Sequence, residues 1–530
     1  MAKFLDMPPA LEPARWRFRT LIGSIGIFLA LGCVVIVEHE TARTPARPRT
    51  EANQRPDTGD EDTPSTKAVN FLVKLTPEVF AGEPDHDAAA RRGLSESLPM
   101  FKPADIKPVV PLSVRSTVAF HTDSRYSAFR LLAPVYLLTL PSDRESDPEK
   151  ILSLIESLTF VEYAEISRPI ILLPNEEEPA RAQRSGSTET TPTPSPTPTP
   201  AATPAYTPCP AQDPLFNVQW YLTDSLDRDI DAPEAWCLLP SDPKPVIVAI
   251  IDTGIMLTHS DLKNKLWRNE AECNGVPGAD DDCNGFVDDC HGWNWLGNDP
   301  DVSDAAGHGT QCAGVIGAAH DAVGIAGVAP NSRLMALKFT NGVVGEPEIS
   351  KASLAIAYAT AQGAQVINMS WVYPSNSPTL KMVLNQSSNF AVLVAGAGNY
   401  NETYPLYPAA YPFVIGVGAT WKGDYGVEVI WTKCSTFNSE IYAPGAGIIT
   451  PSAYTCNGVN YCAITGTSMS SPVVAGIAAL LIAQKANEVP PWNFEQFRNR
   501  ILQAGEAQVS PQDIPSTHGL RISAVRALEP

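Results

Sequence analysis

Apolar residues in the second half of the chain form short continuous runs that alternate with segments of helical spacing. The runs have the length of buried strands and lie at Val246–Ile251, Arg333–Phe339, Val366–Ser370, Ala391–Ala395 and Phe413–Val417. The intervening segments predict helices at Gly307–Ala319, Glu348–Gln362, Pro378–Asn389 and Ser468–Gln484. Wholly apolar strands that alternate with helices are typical of a parallel sheet covered by helices on both faces. We therefore predict one α/β domain over residues 213–530.

The region before this domain has a pattern of shorter and more mixed elements. Apolar residues spaced three and four apart predict one helix, and alternating or short apolar runs predict strands. The helix is expected at Pro148–Leu158, and the extended segments at Val69–Leu75, Val135–Leu140, Val161–Ile166 and Pro169–Leu173. Together these elements predict a small α+β domain over residues 66–174, which we call the N-terminal domain.

Two polar segments separate these regions. Residues 38–65 are rich in Thr, Pro, Arg, Asp and Glu and contain almost no large apolar residue, so they predict a disordered tether. Residues 175–212 include Thr191–Pro200, in which proline alternates with threonine or serine. Such a composition predicts an extended linker that is open to proteolysis.

The first 37 residues contain a segment that suits a membrane. Residues 21–37 carry no charge and follow three arginines, Arg15, Arg17 and Arg19. The segment is long for the core of a signal peptide and short for a membrane span. We expect an uncleaved signal anchor that contacts the membrane, with a cleaved signal peptide as the alternative. Either interpretation predicts an extracytoplasmic protein, membrane-anchored or secreted.

Charge and cysteine content limit the classes of partner that the protein can bind and the cellular compartment in which it folds. The formal net charge is −20 and no long run of Lys or Arg occurs, which argues against nucleic acid as a partner. Nine of the ten cysteines lie between Cys209 and Cys462. This clustering predicts disulfides in an oxidising compartment, with buried free thiols as the alternative.

Three short segments carry residues suited to chemistry. Ile250–Gly254 ends a predicted strand with Asp252, Gly307–Gly314 places His308 at a helix start, and Gly466–Pro472 places Ser468 at the start of an apolar helix. Each has a structural explanation on its own, because such residues also cap helices and form turns. Their combination in the order Asp, His, Ser on a predicted parallel α/β sheet is far more specific.

These segments resemble the motifs D-[ST]-G, H-G-T and G-T-S-M-[AS]-x-P of the subtilisin-like serine peptidases, the subtilases. The resemblance covers about Asp213–Glu529. It implies a serine endopeptidase that hydrolyses proteins or peptides through an acyl-enzyme and needs no cofactor for its chemistry. Ser468 would be the nucleophile, His308 its base, and Asp252 the group that orients the imidazole. The resemblance also assigns Asn399 to the oxyanion.

Substrate contacts follow from the same resemblance. Ser370, Trp371 and Val372 resemble the family strand that pairs with the substrate backbone, although the family usually has Ser-Leu-Gly there. The missing glycine puts a branched side chain where substrate passes, which leaves the shape of the cleft open. The pocket wall is expected at Ala395, Gly396, Ala397 and Gly398. Cys312 resembles the buried free cysteine of proteinase K-like relatives.

An acidic segment between Cys273 and Cys290 suits a cation. Asp280–Asp289 contains the pattern D-x-D-x-N-G, whose alternating oxygen ligands suit calcium. The glutamate that closes an EF-hand loop is absent, so a full EF-hand is not expected. We predict a structural calcium site on Asp280, Asp282, Asn284 and Asp288. The alternative is a solvated acidic loop held by cystines.

The N-terminal domain resembles the inhibitory propeptides of subtilases in its order of elements, with an insertion around Ala81–Thr122. The resemblance implies a self-processed precursor whose own propeptide occupies the cleft, with maturation somewhere in Leu173–Cys209. Two other functions remain open. A subtilase that cuts only itself is distinguished by its failure to cleave an added protein, and an inactive subtilase acting as a binding module is distinguished by an unreactive Ser468.

Overall fold

The structure is a computed structural model. It describes residues 25–30, 33–38, 69–76, 85–111, 114, 123–140, 147–168, 170–172, 176–177, 208–342, 349–422, 429–430, 434–435, 437–456, 459–506 and 520–529. The chain divides into two compact units, Met1–Pro64 and Ser65–Pro530. Most of the predicted tether and of the predicted linker lies outside the described residues.

In the first unit the structure describes two strands, Ile25–Ala30 and Cys33–Glu38, which pair as an antiparallel hairpin. They lie within and just beyond the segment for which a membrane anchor is predicted, and the anchor stays a prediction. Among the described helices only Thr467–Lys485 has the length and apolarity to cross a membrane, and it is buried inside the second unit.

A ten-stranded sheet forms the centre of the α/β domain. Seven neighbouring pairs are parallel, and two short strands, Gly505–Glu506 and Val429–Ile430, pair antiparallel. Val429–Ile430 pairs with one side of Ile415–Trp421, and the other nine strands run in the order Gly292–Asn294, Ser332–Lys338, Val246–Asp252, Val366–Met369, Val392–Gly396, Ile415–Trp421, Ile441–Pro444, Arg521–Ile522 and Gly505–Glu506. The five predicted strands are confirmed with shifts of no more than four residues at an end.

Side chains of one strand show why both faces of this sheet are covered. Val246, Val248 and Ile250 pack into one apolar cluster, and Ala249 and Ile251 pack into another on the opposite face. Successive side chains of a strand point to opposite faces, so a strand that is apolar throughout needs a cover on each side. The expected fold class is confirmed.

Helices supply the two covers and end close to their predicted bounds. One face carries His308–Gly317 and the long helix Thr467–Lys485, which is buried through Ala483. The other face carries Ile349–Ala361 and Pro378–Ser387. The remaining helices of the domain are short α-helices or 3₁₀ turns apart from Phe494–Gln503, and they lie at Phe216–Val218, Ala232–Trp236, Glu270–Cys273 and Ala524–Leu528.

The N-terminal domain is a four-stranded antiparallel sheet with helices. Its strands run in the order Ile106–Pro108, Val135–Leu140, Val69–Leu75 and Val161–Ser167. Its helices are His86–Ser97, Ser127–Leu132 and Pro148–Glu156, with 3₁₀ turns at Pro103–Asp105 and Ser124–Tyr126. The sequence pattern missed the edge strand and the first two helices; the strand and the first helix fall within the predicted insertion, and the second helix follows it.

Cysteines pair locally in the α/β domain. Among the residues that the structure describes, disulfides join Cys209 to Cys237, Cys273 to Cys290 and Cys456 to Cys462. Cys312 and Cys434 are buried thiols. The Cys434 sulfur accepts a hydrogen bond from the Ala419 amide inside the small apolar cluster beside the sheet.

Candidate active site

Asp252 and His308 are brought together by the ends of two elements. Asp252 is the last residue of the strand Val246–Asp252, and His308 is the first residue of the helix His308–Gly317. The imidazole Nδ1 lies 2.8 Å from Asp252 Oδ1 and 2.9 Å from Oδ2. The amide of Gly309 donates to the hydroxyl of Thr253, which fixes the helix start against the strand end. These contacts use Asp252 and Thr253 of one motif and His308 and Gly309 of the other.

The carboxylate controls the charge of the histidine. Burial by itself lowers the pKa of His308, but the buried Asp252 carboxylate raises it well above its usual value. Asp252 is fully buried, so its charge is poorly screened by water. The pair therefore stabilises an imidazolium, the form that arises when a histidine takes a proton from a nucleophile.

Cys312 connects this pair to the helix that carries Ser468. Its sulfur lies 3.9 Å from Asp252 Oδ2, 4.0 Å from His308 Nδ1 and 3.5 Å from the main-chain oxygen of Ser468. Burial raises the pKa of the Cys312 thiol, so the group stays protonated and donates its proton. Asp252, His308 and Ser468 thus surround one small side chain.

Asn399 and Ser468 border a common space at Gly466. A methyl group placed on Gly466 would lie 3.0 Å from Asn399 Nδ2 and 3.1 Å from Ser468 Oγ. The Asn399 amide is oriented by Thr467, whose main-chain N–H and hydroxyl both donate to Asn399 Oδ1 at 2.9 Å. Its N–H₂ group therefore faces the space beside the serine oxygen, where the glycine leaves room for substrate.

The predicted substrate strand pairs with part of this same chain. Trp371–Val372 forms an antiparallel ladder with Ile171–Leu172, the end of the N-terminal domain. The Trp371 ring is buried, packs 5.5 Å from Phe339 and donates to the Ile251 carbonyl. Val372 is buried against Leu406. Neither side chain prevents an extended segment from pairing with this edge, although the family glycine is missing.

Ser370 has a different position from its neighbours. Its side chain is fully buried and donates to the Ser468 main-chain oxygen at 3.0 Å. Asn368 donates to the same hydroxyl, and Ser471 donates to Asn368. The Ser370 side chain thus holds the start of the helix that carries Ser468. Only the main chain of Ser370 is left to contact a substrate.

The predicted pocket wall is buried and small. Ala395–Gly398 continues the strand Val392–Gly396, and all four residues are buried. A methyl group on Gly398 would lie 2.7 Å from Leu406 and 2.9 Å from the carboxylate of Glu402. Leu406 and Glu402 were not predicted from the sequence, because only their closeness to Asn399 along the chain points to them.

Three carboxylates gather in the acidic loop, which we define as residues 273–290, and at its edge. Oxygen atoms of Glu272, Asp280 and Asp282 lie within 4.8 Å of one another. Asp280 and Asp282 were predicted, and Glu272 was missed because it belongs to a short helix outside the acidic pattern. Asp288 lies outside this group and accepts from the Gly278 amide. The amide group of Asn284 donates to Asp282 and to Asp289.

Comparison with known proteins identifies the family. A sequence model described as the subtilase family matches residues 244–517. This chain belongs to the subtilase family. The matched residues contain Asp252, His308, Asn399 and Ser468, and they exclude the N-terminal domain.

Several curated subtilases are similar over the same region. A thermophilic serine proteinase from Bacillus sp. (strain AK1) is 34% identical over 46% of this chain and 53% of its own length. Thermitase from Thermoactinomyces vulgaris is 32% identical over 51% of this chain and 85% of its own length. Alkaline elastase YaB from Bacillus sp. (strain YaB) is 34% identical over 48% of this chain and 58% of its own length. The match thus spans little more than half of the first and third relatives.

Fervidolysin from Fervidobacterium pennivorans, described as a keratinolytic enzyme related to subtilisin, has a similar solved structure. The TM-score is 0.60 at 21% identity, over 89% of this chain and 62% of that one. At this identity the likeness shows the subtilase fold.

Proposed function

We propose that the chain is a serine endopeptidase that hydrolyses proteins or peptides through Asp252, His308 and Ser468. The observation that carries this proposal is the buried Asp252–His308 pair, joined through Cys312 to the helix start that holds Ser468. His308 Nε2 is buried and has no hydrogen-bond partner among the residues that the structure describes. That nitrogen is the one a general base presents to a nucleophile, because Nδ1 is already held by the carboxylate.

In the proposed reaction Ser468 Oγ attacks the carbonyl carbon of the scissile bond while His308 Nε2 takes the hydroxyl proton. Asp252 holds the imidazole in the tautomer with Nδ1–H and stabilises its positive charge. The oxyanion develops beside Gly466, where Asn399 Nδ2 donates to it. His308 then protonates the leaving amine, and a water molecule activated by the same imidazole hydrolyses the acyl-enzyme.

Covalent labelling tests this function directly. We expect a fluorophosphonate probe to modify Ser468 in the purified wild-type chain and to leave Ser468→Ala unlabelled. Mass mapping identifies the modified residue. An unlabelled wild-type chain that is folded, supplied with calcium and freed of the N-terminal domain would favour the inactive, binding-module alternative.

Asn399→Ala should lower kcat with little change in KM, because the amide serves the oxyanion more than the bound substrate. The expected loss is about 10²–10³-fold, the range found for the equivalent donor in subtilisin. Asn385→Ala, at an exposed position of the helix Pro378–Ser387, is the matched control and should retain full activity. Steady-state kinetics on a short peptide substrate measure both. Equal kcat values for the two variants would remove Asn399 from the oxyanion site.

The N-terminal domain acts in this proposal as an inhibitory propeptide. Ile171–Leu172 pairs with the edge Trp371–Val372, and Glu176–Glu177 pairs with Ile464–Thr465, just before Ser468. The two ladders thus engage the predicted substrate edge and the strand that precedes the Ser468 helix along the chain. A substrate bound as a strand would use the same edges, so the segment competes with substrate until it is cut and leaves.

A second contact supports the same role. The buried carboxylate of Glu165 accepts from the Ser377 hydroxyl at 3.0 Å and from the Thr379 amide at 3.2 Å. These groups lie at the start of the helix Pro378–Ser387, where a negative charge is favourable. The N-terminal domain is therefore fixed beside the cleft as well as in it. A subtilase that only cuts itself would keep this domain bound, and cleavage of an added protein distinguishes the two functions.

Location and membrane contact extend the proposal. The disulfides of the described residues support an oxidising, extracytoplasmic compartment. We propose that the apolar residues 21–37 direct the chain there and anchor the precursor. Because Cys209 is bonded to Cys237, a cut that is meant to free the N-terminal domain has to lie before Cys209.

Structural calcium in the acidic loop is also part of the proposal. Carboxylate oxygens of Glu272, Asp280 and Asp282 are hard ligands that suit calcium, and Cys273–Cys290 closes the loop around them. Calcium at about 100 times its dissociation constant adds about 2.7 kcal/mol of stability, which is several degrees in Tm.

Asp282→Asn should lose most of the rise in Tm that millimolar calcium gives the wild-type chain. The exposed neighbour Glu270→Gln is the matched control and should keep it. Thermal unfolding with calcium and with chelator measures both. An undiminished calcium response in Asp282→Asn would place the ion elsewhere.

A further inference from the structure

The N-terminal domain has two separate apolar faces. One face is its own core, in which Phe71 and Val73 pack with Phe101. Leu72 points to the other side of the same strand and belongs to an apolar cluster shared with the α/β domain. The alternation of a strand thus divides the domain between internal packing and docking. The docking face is where a cleaved fragment would be held.

Part of this docking face of the N-terminal domain contacts the acidic loop. The ring of Phe129, on the helix Ser127–Leu132, lies 6.3 Å from the ring of Phe286, and both side chains are buried. Phe286 also packs at 5.1 Å from Trp293 and 5.0 Å from Tyr358. One ring of the acidic loop is therefore shared between the α/β core and the N-terminal domain.

The turn that presents Phe286 is built by the acidic residues. Asp280 accepts from the amides of Asn284 and Gly285, and the Asn284 side chain accepts from the amide of Phe286. Gly285 has φ +94°, and a methyl group there would lie 2.9 Å from both Cα and Cγ2 of Val114. The backbone of the N-terminal domain thus rests directly on this turn, which leaves space only for glycine.

Tyr126 extends the same contact. Its side chain is buried in the shared cluster, with its ring 6.5 Å from the ring of Phe129.

We infer that the acidic loop is a docking surface for the N-terminal domain, with Phe129 and Val114 seated against Gly285 and Phe286. The consequence of this inference rests on the proposed function. If the N-terminal domain is an inhibitory propeptide, the acidic loop keeps it on the enzyme after cleavage, independently of the cleft. A fragment that loses this contact dissociates faster and inhibits less.

The test avoids catalysis, so that its failure differs from a failure of the proposed function. The Ser468→Ala variant is cut in its linker by trypsin at Arg181 or Arg184. The dissociation constant of the complex between the two pieces is then measured by dilution and gel filtration. We expect Phe129→Ala in this background to raise that constant at least about 10-fold, since a buried phenylalanine is lost from an interface. Phe160→Ala is the matched control, because Phe160 packs on the domain's own core, and should change it less than about 3-fold.

Conservative variants keep the test decisive if Phe129→Ala does not fold. Phe129→Leu, Phe286→Leu and the variant that carries both substitutions are compared in a double-mutant cycle. Coupled effects support the inference. Additive effects, or equal weakening by Phe129→Ala and Phe160→Ala, overturn it.

Discussion

Ser468→Ala should leave the precursor uncut and abolish peptidase activity. The expected loss of kcat is about 10⁶-fold, the size found when subtilisin loses its nucleophilic serine. The variant should fold, because Ser468 and the next turn of its helix are fully buried and alanine is smaller. Intact mass and N-terminal sequencing of chains made without any other protease measure processing, and a peptide substrate measures activity.

Ser470→Ala is the matched control for this substitution. Ser470 is buried two residues later on the same helix, and its hydroxyl donates to the Thr467 carbonyl. It makes none of the contacts described for the active site, and alanine is common there in the family. This variant should mature and cleave normally. Maturation of Ser468→Ala at the wild-type rate would show that the chain is cut by another enzyme.

Asp252→Asn lowers kcat by about 10⁴-fold, the loss found for the same change in a serine protease triad. Asparagine cannot hold the imidazole in its Nδ1–H tautomer or stabilise its charge. The residual activity should also have a different pH dependence. Since Asp252 raises the pKa of His308 and the base acts in its neutral form, activity is lost as pH falls through that pKa. Without the carboxylate the pKa falls, and the acid limb moves to lower pH.

The pH profile of kcat/KM separates this mechanism from simple damage to the fold. Asp242→Asn, at an exposed position before the strand Val246–Asp252, is the matched control. It should keep the wild-type kcat and the wild-type acid limb of the pH profile. An unchanged acid limb in Asp252→Asn would mean that His308 does not titrate against this carboxylate.

Strand and helix patterns predicted the α/β domain well because its elements are long and apolar. The predicted strand Val246–Ile251 ends one residue before the observed Asp252, and the predicted helix Gly307–Ala319 contains the observed His308–Gly317. Carboxyl ends of parallel strands meet at one edge of a sheet, so a motif at a strand end and motifs at helix starts were placed together by topology alone.

Short and polar elements were less predictable. Ile106–Pro108 has three residues and a proline, and His86–Ser97 has few apolar residues, so neither gives a clear period. The direction of Ser370 depends on how the strand bends after Met369, which the sequence does not show. Glu272 joins Asp280 and Asp282 where the loop closed by Cys273–Cys290 folds back, and the amides of Asp281 and Asp282 donate to its carboxylate. Such long-range closure has no local signal.

The bond between Cys209 and Cys237 decides where a cut can separate the precursor into two pieces. A cut between these cysteines leaves the pieces joined, whereas a cut before Cys209 leaves the residues after it on the α/β domain and frees the N-terminal domain together with residues 1–65. If residues 21–37 anchor the precursor, the inhibitor stays at the membrane while the enzyme departs. Before the cut, inhibitor and enzyme share one chain and meet at high effective concentration. Afterwards, dilution into the surrounding fluid makes activation one-way.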